Sequence, residues 1–434
     1  MNYTDEFLKF IKYAKSQYHA CDYFKNRLLD NGFIELNEND KFNLKCGNKY
    51  FFTRNNSSLF IFTIPNDLNN IGFNISAAHL DSPTLKLKPN ALFNKNGYYC
   101  LDTEIYGGPI YSSFVDRPLD IAGRILINND GIIENKLFSF DKGIVSIPNL
   151  CIHFNRDINK EFQYNPQENL IPILGKAECE MDLLDLISKK SKIKKDDILA
   201  YDLNVALNDR GEKLGLNDEF IMAPQIDNLE SSYALFEGIL NDLGPNINVL
   251  ALFDNEEIGS KTRQGASSNA LEITLDRILT SLNINDEDRY IIYANSFMIS
   301  SDNAHAFHPL YANKYDDLNK AYLNEGVVIK SSARGNYSTD GYSLAIFKKL
   351  CELADTKYQY MSNRSDIAGG STLACLSLEH VSIPTVDIGL PELAMHSSYE
   401  MCGSYDIMEL IKVIKKFYQI KINHINDSKS KIGE

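Results

Sequence analysis

The sequence has no Cys-x-x-Cys pair, no tryptophan and no long apolar run. Its eight cysteines are scattered along 434 residues, which argues against a disulfide framework and against a cysteine-based structural zinc site. No apolar stretch reaches the roughly 18 residues that a transmembrane helix needs. Asp5 and Glu6 lie where a signal peptide would carry positive charge. We therefore predict a soluble cytoplasmic protein with reduced thiols.

Positive charge is also scarce. The chain has 44 Lys and Arg against 58 Asp and Glu, a formal net charge of −14. Nucleic acids and anionic membrane surfaces are bound through basic patches. The charge balance therefore excludes both as main partners.

Apolar runs that alternate with helical stretches predict an α/β fold with a largely parallel sheet. The predicted strands cover residues 50–52, 59–64, 72–78, 248–253, 290–298 and 384–388, and residues 230–240 are a predicted helix. The polar residues 427–434 are expected to fray.

Five polar segments follow apolar runs, at the places where strand ends bring side chains together in open α/β sheets. The candidate residues in them are His79, Asp81, Asp227, Glu256, Glu257, Asp302 and His396. Singly, each has an ordinary interpretation, because a lone histidine is more often structural, adjacent acids are usually solvated and an aspartate can cap a helix. Together they are the donors that a two-zinc hydrolase requires.

The Glu256-Glu257 pair fits this chemistry. Zinc binds histidine nitrogen and carboxylate oxygen, and a catalytic zinc keeps one position open for water. Two ions about 3.5–4 Å apart need a bridging carboxylate, and a separate carboxylate must accept the proton of the water. One glutamate of the pair can bind metal while its neighbour acts as the general base.

At these residues the chain resembles the M18 family of metallo-aminopeptidases, the aspartyl aminopeptidase group. The matching segments, in family order, are AAHLDSPTLKLKP, YGGPIYSSFVDRPLDIAGRI, IPNLCIHFNR, MAPQIDNL, LFDNEEIGS, SSDNAHAFHP, VVIKSSARGNYST, SDIAGGSTLA and DIGLPELAMHSSYEM. Eukaryotic aspartyl-specific members resemble RNDSPCGTT where this chain has Gly-Gly-Ser-Thr at 369–372, which looks like a bacterial branch. The resemblance covers nearly the whole chain.

The resemblance implies the metal ligands and the base. His79 and Asp302 would hold one zinc ion, Glu257 and His396 the other, with Asp227 as the bridge and Glu256 as the general base. Cobalt or manganese could occupy the same nitrogen and oxygen ligands, because availability also decides occupancy.

Five further positions have roles by resemblance. Asp81 would accept the second N–H of a histidine ligand. Tyr337 would donate to the developing oxyanion, and Met395 is a further substrate-binding candidate. His153 would reach the active site of a neighbouring subunit, or be a buried polar residue of the smaller domain. Lys330 would pair with an acidic substrate side chain, or be solvated or structural.

The ligand spacing predicts an inserted domain. His79 and Asp227 should lie on neighbouring strands, yet unstructured loops longer than about 15 residues are uncommon. We therefore predict a catalytic α/β domain with a central mixed sheet, formed by residues 1–90 and 220–434, and a smaller β-rich domain at 91–219. By resemblance the insertion mediates homo-oligomerisation, typically into a tetrahedral dodecamer.

The predicted function is removal of the N-terminal residue from peptides, with a preference for acidic residues. Two alternatives stay open at this point. One is a catalytically silent, self-assembled binding or scaffold particle. The other is a two-metal deacylase that acts on N-acyl amino acids.

Overall fold

The computed structural model describes residues 2–240, 243–370, 372, 375, 377–426 and 428–433. None of the helices in these ranges is both long enough and apolar enough to cross a membrane. The α-helices are α1 (Tyr3–Tyr13), α2 (Gln17–Asp30), α3 (Pro166–Asn169), α4 (Leu183–Ser191), α5 (Ile226–Ile239), α6 (Ala270–Ser281), α7 (Asp286–Ala294), α8 (Gly341–Ala354) and α9 (Asp406–Tyr418).

The strands form one large sheet and several smaller ones. They are β1 (Ile34–Glu35), β2 (Lys49–Arg54), β3 (Ser58–Thr63), β4 (Phe73–His79), β5 (Thr84–Lys95), β6 (Tyr98–Tyr106), β7 (Leu119–Asn129), β8 (Ile132–Ser139), β9 (Ile173–Lys176), β10 (Ile198–Leu207), β11 (Glu212–Leu214), β12 (Phe220–Ala223), β13 (Ile247–Phe253), β14 (Phe297–Ser301), β15 (Ala304–His305), β16 (Val327–Lys330), β17 (Tyr358–Met361), β18 (Thr385–Gly389), β19 (Pro391–Leu393), β20 (Glu400–Gly403), β21 (Lys421–Asn426) and β22 (Lys429–Gly433).

The large sheet has the strand order β1-β2-β3-β13-β4-β14-β18-β16-β17. Its central strands β13, β4, β14 and β18 run parallel, whereas β3 and β16 join them antiparallel. Every residue of these four central strands is buried, as expected for a sheet that helices cover on both faces.

Alternate side chains of β13 enter different cores. Leu250 and Leu252 pack with the apolar sides of α1, α2, α5, α8 and α9. Val249 and Ala251 pack with those of α6 and α7 on the opposite face. The period-two alternation of a strand therefore builds both hydrophobic layers.

A second, antiparallel sheet has the order β8-β7-β10-β5-β6-β9 and lies between Thr84 and Leu207 in the chain. It has its own hydrophobic core, which includes Leu101, Ile121 and Leu203. The predicted α/β fold with a smaller β-rich unit is confirmed, and the boundaries at 91 and 219 stay predictions. A third sheet, β11-β12-β20-β19-β15, borders the site described below.

Two local predictions were wrong. The apolar run 290–298 forms the end of helix α7 before strand β14, because Asn285 caps the helix by accepting a hydrogen bond from the Asp288 N–H and three acids occupy its first turn. The tail expected to fray contains β22, which pairs with β21 in a hairpin. Asp427 and Glu434 lie outside the described residues.

Candidate active site

The predicted metal ligands meet at one edge of the large sheet. Strand β4 ends at His79, whose register partner is Phe253 at the end of β13. Strand β14 ends at Ser301, directly before Asp302. Because these strands are parallel, their carboxyl ends project polar side chains into the same space.

Asp227 lies between two histidines. His79 Nε2 is 3.5 Å from Asp227 Oδ1 and 3.9 Å from Asp302 Oδ1. His396 Nε2 is 3.5 Å from Asp227 Oδ2 and 3.4 Å from Glu257 Oε2. These residues form two sets of three, His79 with Asp227 and Asp302, and Asp227 with Glu257 and His396. Within each set the ligand atoms lie within 4.8 Å of one another. The two sets share Asp227, which offers one oxygen to each.

Glu256 is also close to this cluster. With His79 and Glu257 it forms a third set of ligand atoms that lie within 4.8 Å of one another. Its carboxylate therefore borders the space between the two sets that share Asp227.

Both histidines point Nε2 toward the cluster because their other ring nitrogen is engaged. His79 Nδ1 lies 3.0 Å from the backbone oxygen of Asp81, and His396 Nδ1 lies 3.1 Å from the backbone oxygen of Gly108. A carbonyl oxygen only accepts hydrogen bonds, so Nδ1 carries the proton in each ring. The Nε2 lone pair of a neutral imidazole is then free for a metal ion.

The contacts of the Asp81 carboxylate differ from the prediction that it accepts the second N–H of a histidine ligand. The closest partner of His79 Nδ1 is the Asp81 carbonyl, and Asp81 Oδ1 is farther away at 3.4 Å. The two carboxylate oxygens instead accept the backbone N–H groups of Glu256, over 3.1 Å, and Glu257, over 3.2 Å. Asp81 thus fixes the turn that carries both glutamates, a single 3-10 turn at Glu256–Ile258.

The second sheet contributes a segment to the site. At the end of β6, the Tyr106 hydroxyl donates to Asp81 Oδ2 over 2.7 Å and accepts from Asn255 Nδ2 over 2.8 Å. Gly107 follows with φ +71°, and a side chain there would meet Glu257 Cβ at 3.1 Å. The carbonyl of Gly108 holds the His396 ring.

Glu400 supports the cluster from the third sheet. It is 1% exposed. Its Oε2 accepts the backbone N–H of Asp227 over 3.0 Å, and its Oε1 accepts that of His396 over 2.6 Å. Asp227 is joined to Asn228 by a cis peptide bond. The Glu400 carboxylate therefore contacts the backbone of both Asp227 and His396.

Burial and mutual repulsion dominate the electrostatics. Burial is the main cause that raises the pKa of Glu256 to about 8; the charges of Asp302 and Asp81 act in the same direction, and His79 opposes them. Burial and then the charge of Asp227 raise the pKa of Glu257 well above its ordinary value. Burial also opposes ionisation of Asp227, but the two histidines outweigh it and lower the pKa of Asp227.

The remaining predicted residues belong to none of the three sets of ligand atoms found among the described residues. Lys330, at the end of β16, is 3% exposed, and its ammonium lies 5.5 Å from the centre of the Tyr337 ring. Tyr337 is buried in a small apolar cluster with Val328 and Met361. Among the remaining predicted site residues, Met395 is half-buried beside His396, and His153 is exposed in a turn.

Three supporting residues were missed. Glu400, Tyr106 and Gly108 all lie in segments whose sequence attracted attention, but their contacts are with backbone groups or reach across sheets. No spacing rule predicts such contacts. Within the segment SDIAGGSTLA, Ser371, Leu373 and Ala374 lie outside the described residues.

The residues present fit a pair of divalent cations. Asp227 Oδ1 and Glu257 Oε1 are buried side-chain oxygens that find no hydrogen-bond partner in the described part of the chain. A buried, unpaired carboxylate oxygen is costly unless a cation or proton satisfies it. Nitrogen and carboxylate donors in three-residue sets are the ligands that catalytic zinc uses.

Comparison with known proteins agrees with this chemistry. The family model Aminopeptidase I zinc metalloprotease (M18) matches residues 10–418. A probable M18 family aminopeptidase 2 from Clostridium acetobutylicum is 42% identical over 97% of this chain and 99% of its own. The structure of Chaetomium thermophilum mApe1 is 30% identical, with a TM-score of 0.87 over 96% of this chain and 97% of that one. The dodecamer of S. cerevisiae mApe1 shares the fold, with 24% identity and a TM-score of 0.85 over 96% of each chain. The chain therefore belongs to the M18 family of zinc metallo-aminopeptidases.

Proposed function

We propose that this aminopeptidase uses two divalent cations in each subunit. His79, Asp302 and Asp227 would hold one, and Asp227, Glu257 and His396 the other. The observation that carries the proposal is the position of Asp227, whose two carboxylate oxygens each face a different histidine Nε2 at 3.5 Å. Zinc is the metal that the family description names.

Glu256 is the proposed general base. A two-ion site supplies a water whose pKa is lowered to about 7, and it polarises the substrate carbonyl. Glu256 borders that space without belonging to either proposed ligand set. Beside two cations its carboxylate would be ionised at neutral pH, so it would accept the proton of the water and deliver it to the leaving amine. Asp81 holds Glu256 in place through the backbone N–H.

An acidic N-terminal residue is the proposed preference, and Lys330 supports it. The side chain of Lys330 is almost fully buried. Its ammonium forms no ion pair with any acidic group among the described residues. Burial disfavours the charge, but the field of Asp302 and other carboxylates outweighs burial and raises the pKa of Lys330. A buried, charged ammonium that has no ion pair among the described residues favours an anionic ligand group.

We also propose that the chain forms a homo-oligomer of twelve subunits, the form seen in the structure of S. cerevisiae mApe1. His153 supports this arrangement, because it is exposed in a turn flanked by the exposed side chains of Ile152 and Phe154. Apolar side chains of this kind are typical of surfaces that another protein covers. Light scattering of the purified protein measures the mass directly.

The base assignment is tested with Glu256→Gln. We expect this variant to bind both metal ions and to lose at least about 1,000-fold in kcat, the upper range for general-base catalysis. Substantial turnover by a metal-replete Glu256→Gln sample would refute the role of Glu256. Metal content is measured on the same sample, so loss of ions and loss of the base are separated.

The reaction class is tested with a substrate panel. Aminoacyl anilides that differ in the N-terminal residue are compared with N-acyl amino acids. Hydrolysis of the first group alone supports the aminopeptidase, and hydrolysis of the second alone would support the deacylase. An assembled protein that cleaves neither group after addition of zinc or cobalt would support the scaffold alternative.

A further inference from the structure

We propose that Glu400 is the residue that positions Asp227 and His396 for metal binding. Its two carboxylate oxygens contact both ligands, because Oε2 accepts from the Asp227 N–H and Oε1 from the His396 N–H. Asp227 is the shared residue of both ligand sets, and His396 belongs to one of them. The inference rests on the proposed two-metal site.

The sequence places Glu400 between the two ligands through strand pairing. Glu400 is the first residue of β20 and pairs with Ala223, the last residue of β12. Asp227 follows Ala223 by four residues, and His396 precedes Glu400 by four. The carboxylate therefore lies at the point where the two ligand-bearing segments leave the third sheet.

Both segments have backbone conformations that need support. Gln225, close to Asp227, has φ +62°, while Ala394 and His396 have φ +60° and +66°. Side-chain-bearing residues rarely adopt this left-handed region, and they keep it only where surrounding contacts enforce it. The hydrogen bonds to Glu400 are such contacts, and their donors are the backbone N–H groups of the ligands Asp227 and His396.

A carboxylate is suited to this position for a simple reason. Two N–H groups converge on it, so both of its oxygens must accept. The amide of glutamine offers one acceptor and one donor, and its NH2 group would face one of the two N–H groups. Glu400→Gln should therefore release either Asp227 or His396 while changing the side-chain volume very little.

The site formed by Asp227, Glu257 and His396 should be affected most, because Glu400 contacts two of its three members. Loss of such a supporting partner typically weakens metal binding by roughly 10–100-fold. We expect Glu400→Gln to bind the ion of the Asp227, Glu257 and His396 set at least about tenfold more weakly, and to weaken the other ion, which shares only Asp227, by a smaller factor.

The experiment is a zinc titration of the metal-free full-length protein by calorimetry, repeated with cobalt to follow its visible spectrum. Glu392→Gln is the matched control. Glu392 is also 1% exposed and lies on the neighbouring strand β19, but its Oε2 accepts from Asn303 Nδ2 and not from a ligand backbone. The control should bind both ions with wild-type affinity.

The outcomes are distinct. A second-site loss of more than about fivefold in Glu400→Gln alone supports the inference. A smaller loss, or an equal loss in Glu392→Gln, overturns it. If Glu400→Gln does not fold, Glu400→Asp is titrated instead. Its shorter carboxylate keeps two acceptors but cannot reach both N–H groups, and the same fivefold limit applies. Wild-type protein that binds fewer than two ions would refute the proposed two-metal function, which is a separate result.

Discussion

Tyr106 donates a hydrogen bond to Asp81 across the boundary between the second sheet and the large sheet, over 2.7 Å. Asp81 in turn accepts the backbone N–H groups of Glu256 and Glu257. The phenol of one sheet is thus two hydrogen bonds away from the proposed base and the adjacent metal ligand.

We expect Tyr106→Phe to reduce kcat by roughly 10-fold with little change in KM, because the Glu256 turn loses support while the substrate pocket is unchanged. Loss of a buried hydrogen bond to a charged group should also cost about 2 kcal/mol of stability. Steady-state kinetics and thermal unfolding measure the two effects. Tyr98→Phe, on the exposed part of the same strand, is the control. Equal activity of both variants would contradict the role of Tyr106.

Gly107→Ala should disturb the metal site more than its backbone cost explains. Gly107 and Gly97 both have positive φ, so alanine costs about 1 kcal/mol at either position. A Cβ at Gly107 would lie 3.1 Å from Glu257 Cβ, whereas a Cβ at Gly97 meets nothing within 4 Å. We expect similar stability losses from the two variants, but weaker metal binding and lower kcat only in Gly107→Ala. Full metal binding by Gly107→Ala would show that Glu257 accommodates the added methyl group.

The candidate ligands could be predicted from sequence, whereas their supports could not. His79 and Asp302 follow apolar runs that form parallel central strands, so strand ends bring them together. Glu400 acts through hydrogen bonds to backbone N–H groups, and its partners are set by strand register. Residue type and spacing do not encode that register.

The secondary structure predicted from the sequence was also wrong where a helix and a strand share one apolar run. Residues 290–298 contain the end of α7 and the start of β14, and periodicity alone does not divide a short run between a helix and a strand. Asn285 was the available signal, because its side chain caps the helix.

Lys330→Met should remove the preference for acidic N-terminal residues. The ammonium is buried and lacks an ion pair among the described residues, so its loss leaves an acidic substrate side chain without a partner. We expect kcat/KM for an N-terminal Asp substrate to fall at least about 10-fold, the effect of roughly 1.4 kcal/mol. The value for an N-terminal Leu substrate should stay constant or rise. Lys320→Met, whose ammonium lies over the Phe307 ring, is the control. An unchanged ratio of the two substrates in Lys330→Met would exclude Lys330 as the specificity residue.

Metal removal should destabilise the protein, and more so as the pH rises. In the metal-free site the pKa of Glu256 is raised from its ordinary value to about 8, chiefly by burial, and that of Glu257 is raised well above its ordinary value by burial and Asp227. A carboxyl group with a raised folded-state pKa contributes stability below its unfolded pKa of about 4.5, and this stability is lost as the pH rises toward 8. Burial opposes protonation of His79, but Asp227 and Asp302 outweigh it and raise the pKa of His79, so this group acts in the same direction. Cations reverse the balance, because they bind the deprotonated ligands.

We therefore expect zinc to raise Tm more at pH 8 than at pH 5.5, with excess zinc at 1,000 times its Kd adding about 4 kcal/mol. Thermal unfolding of chelated and zinc-loaded samples across this range measures the difference. In Asp227→Asn, which lacks the shared carboxylate, the zinc-induced shift should nearly vanish at both pH values. A zinc-induced shift that is independent of pH would show that the carboxylate cluster is not where the ions bind.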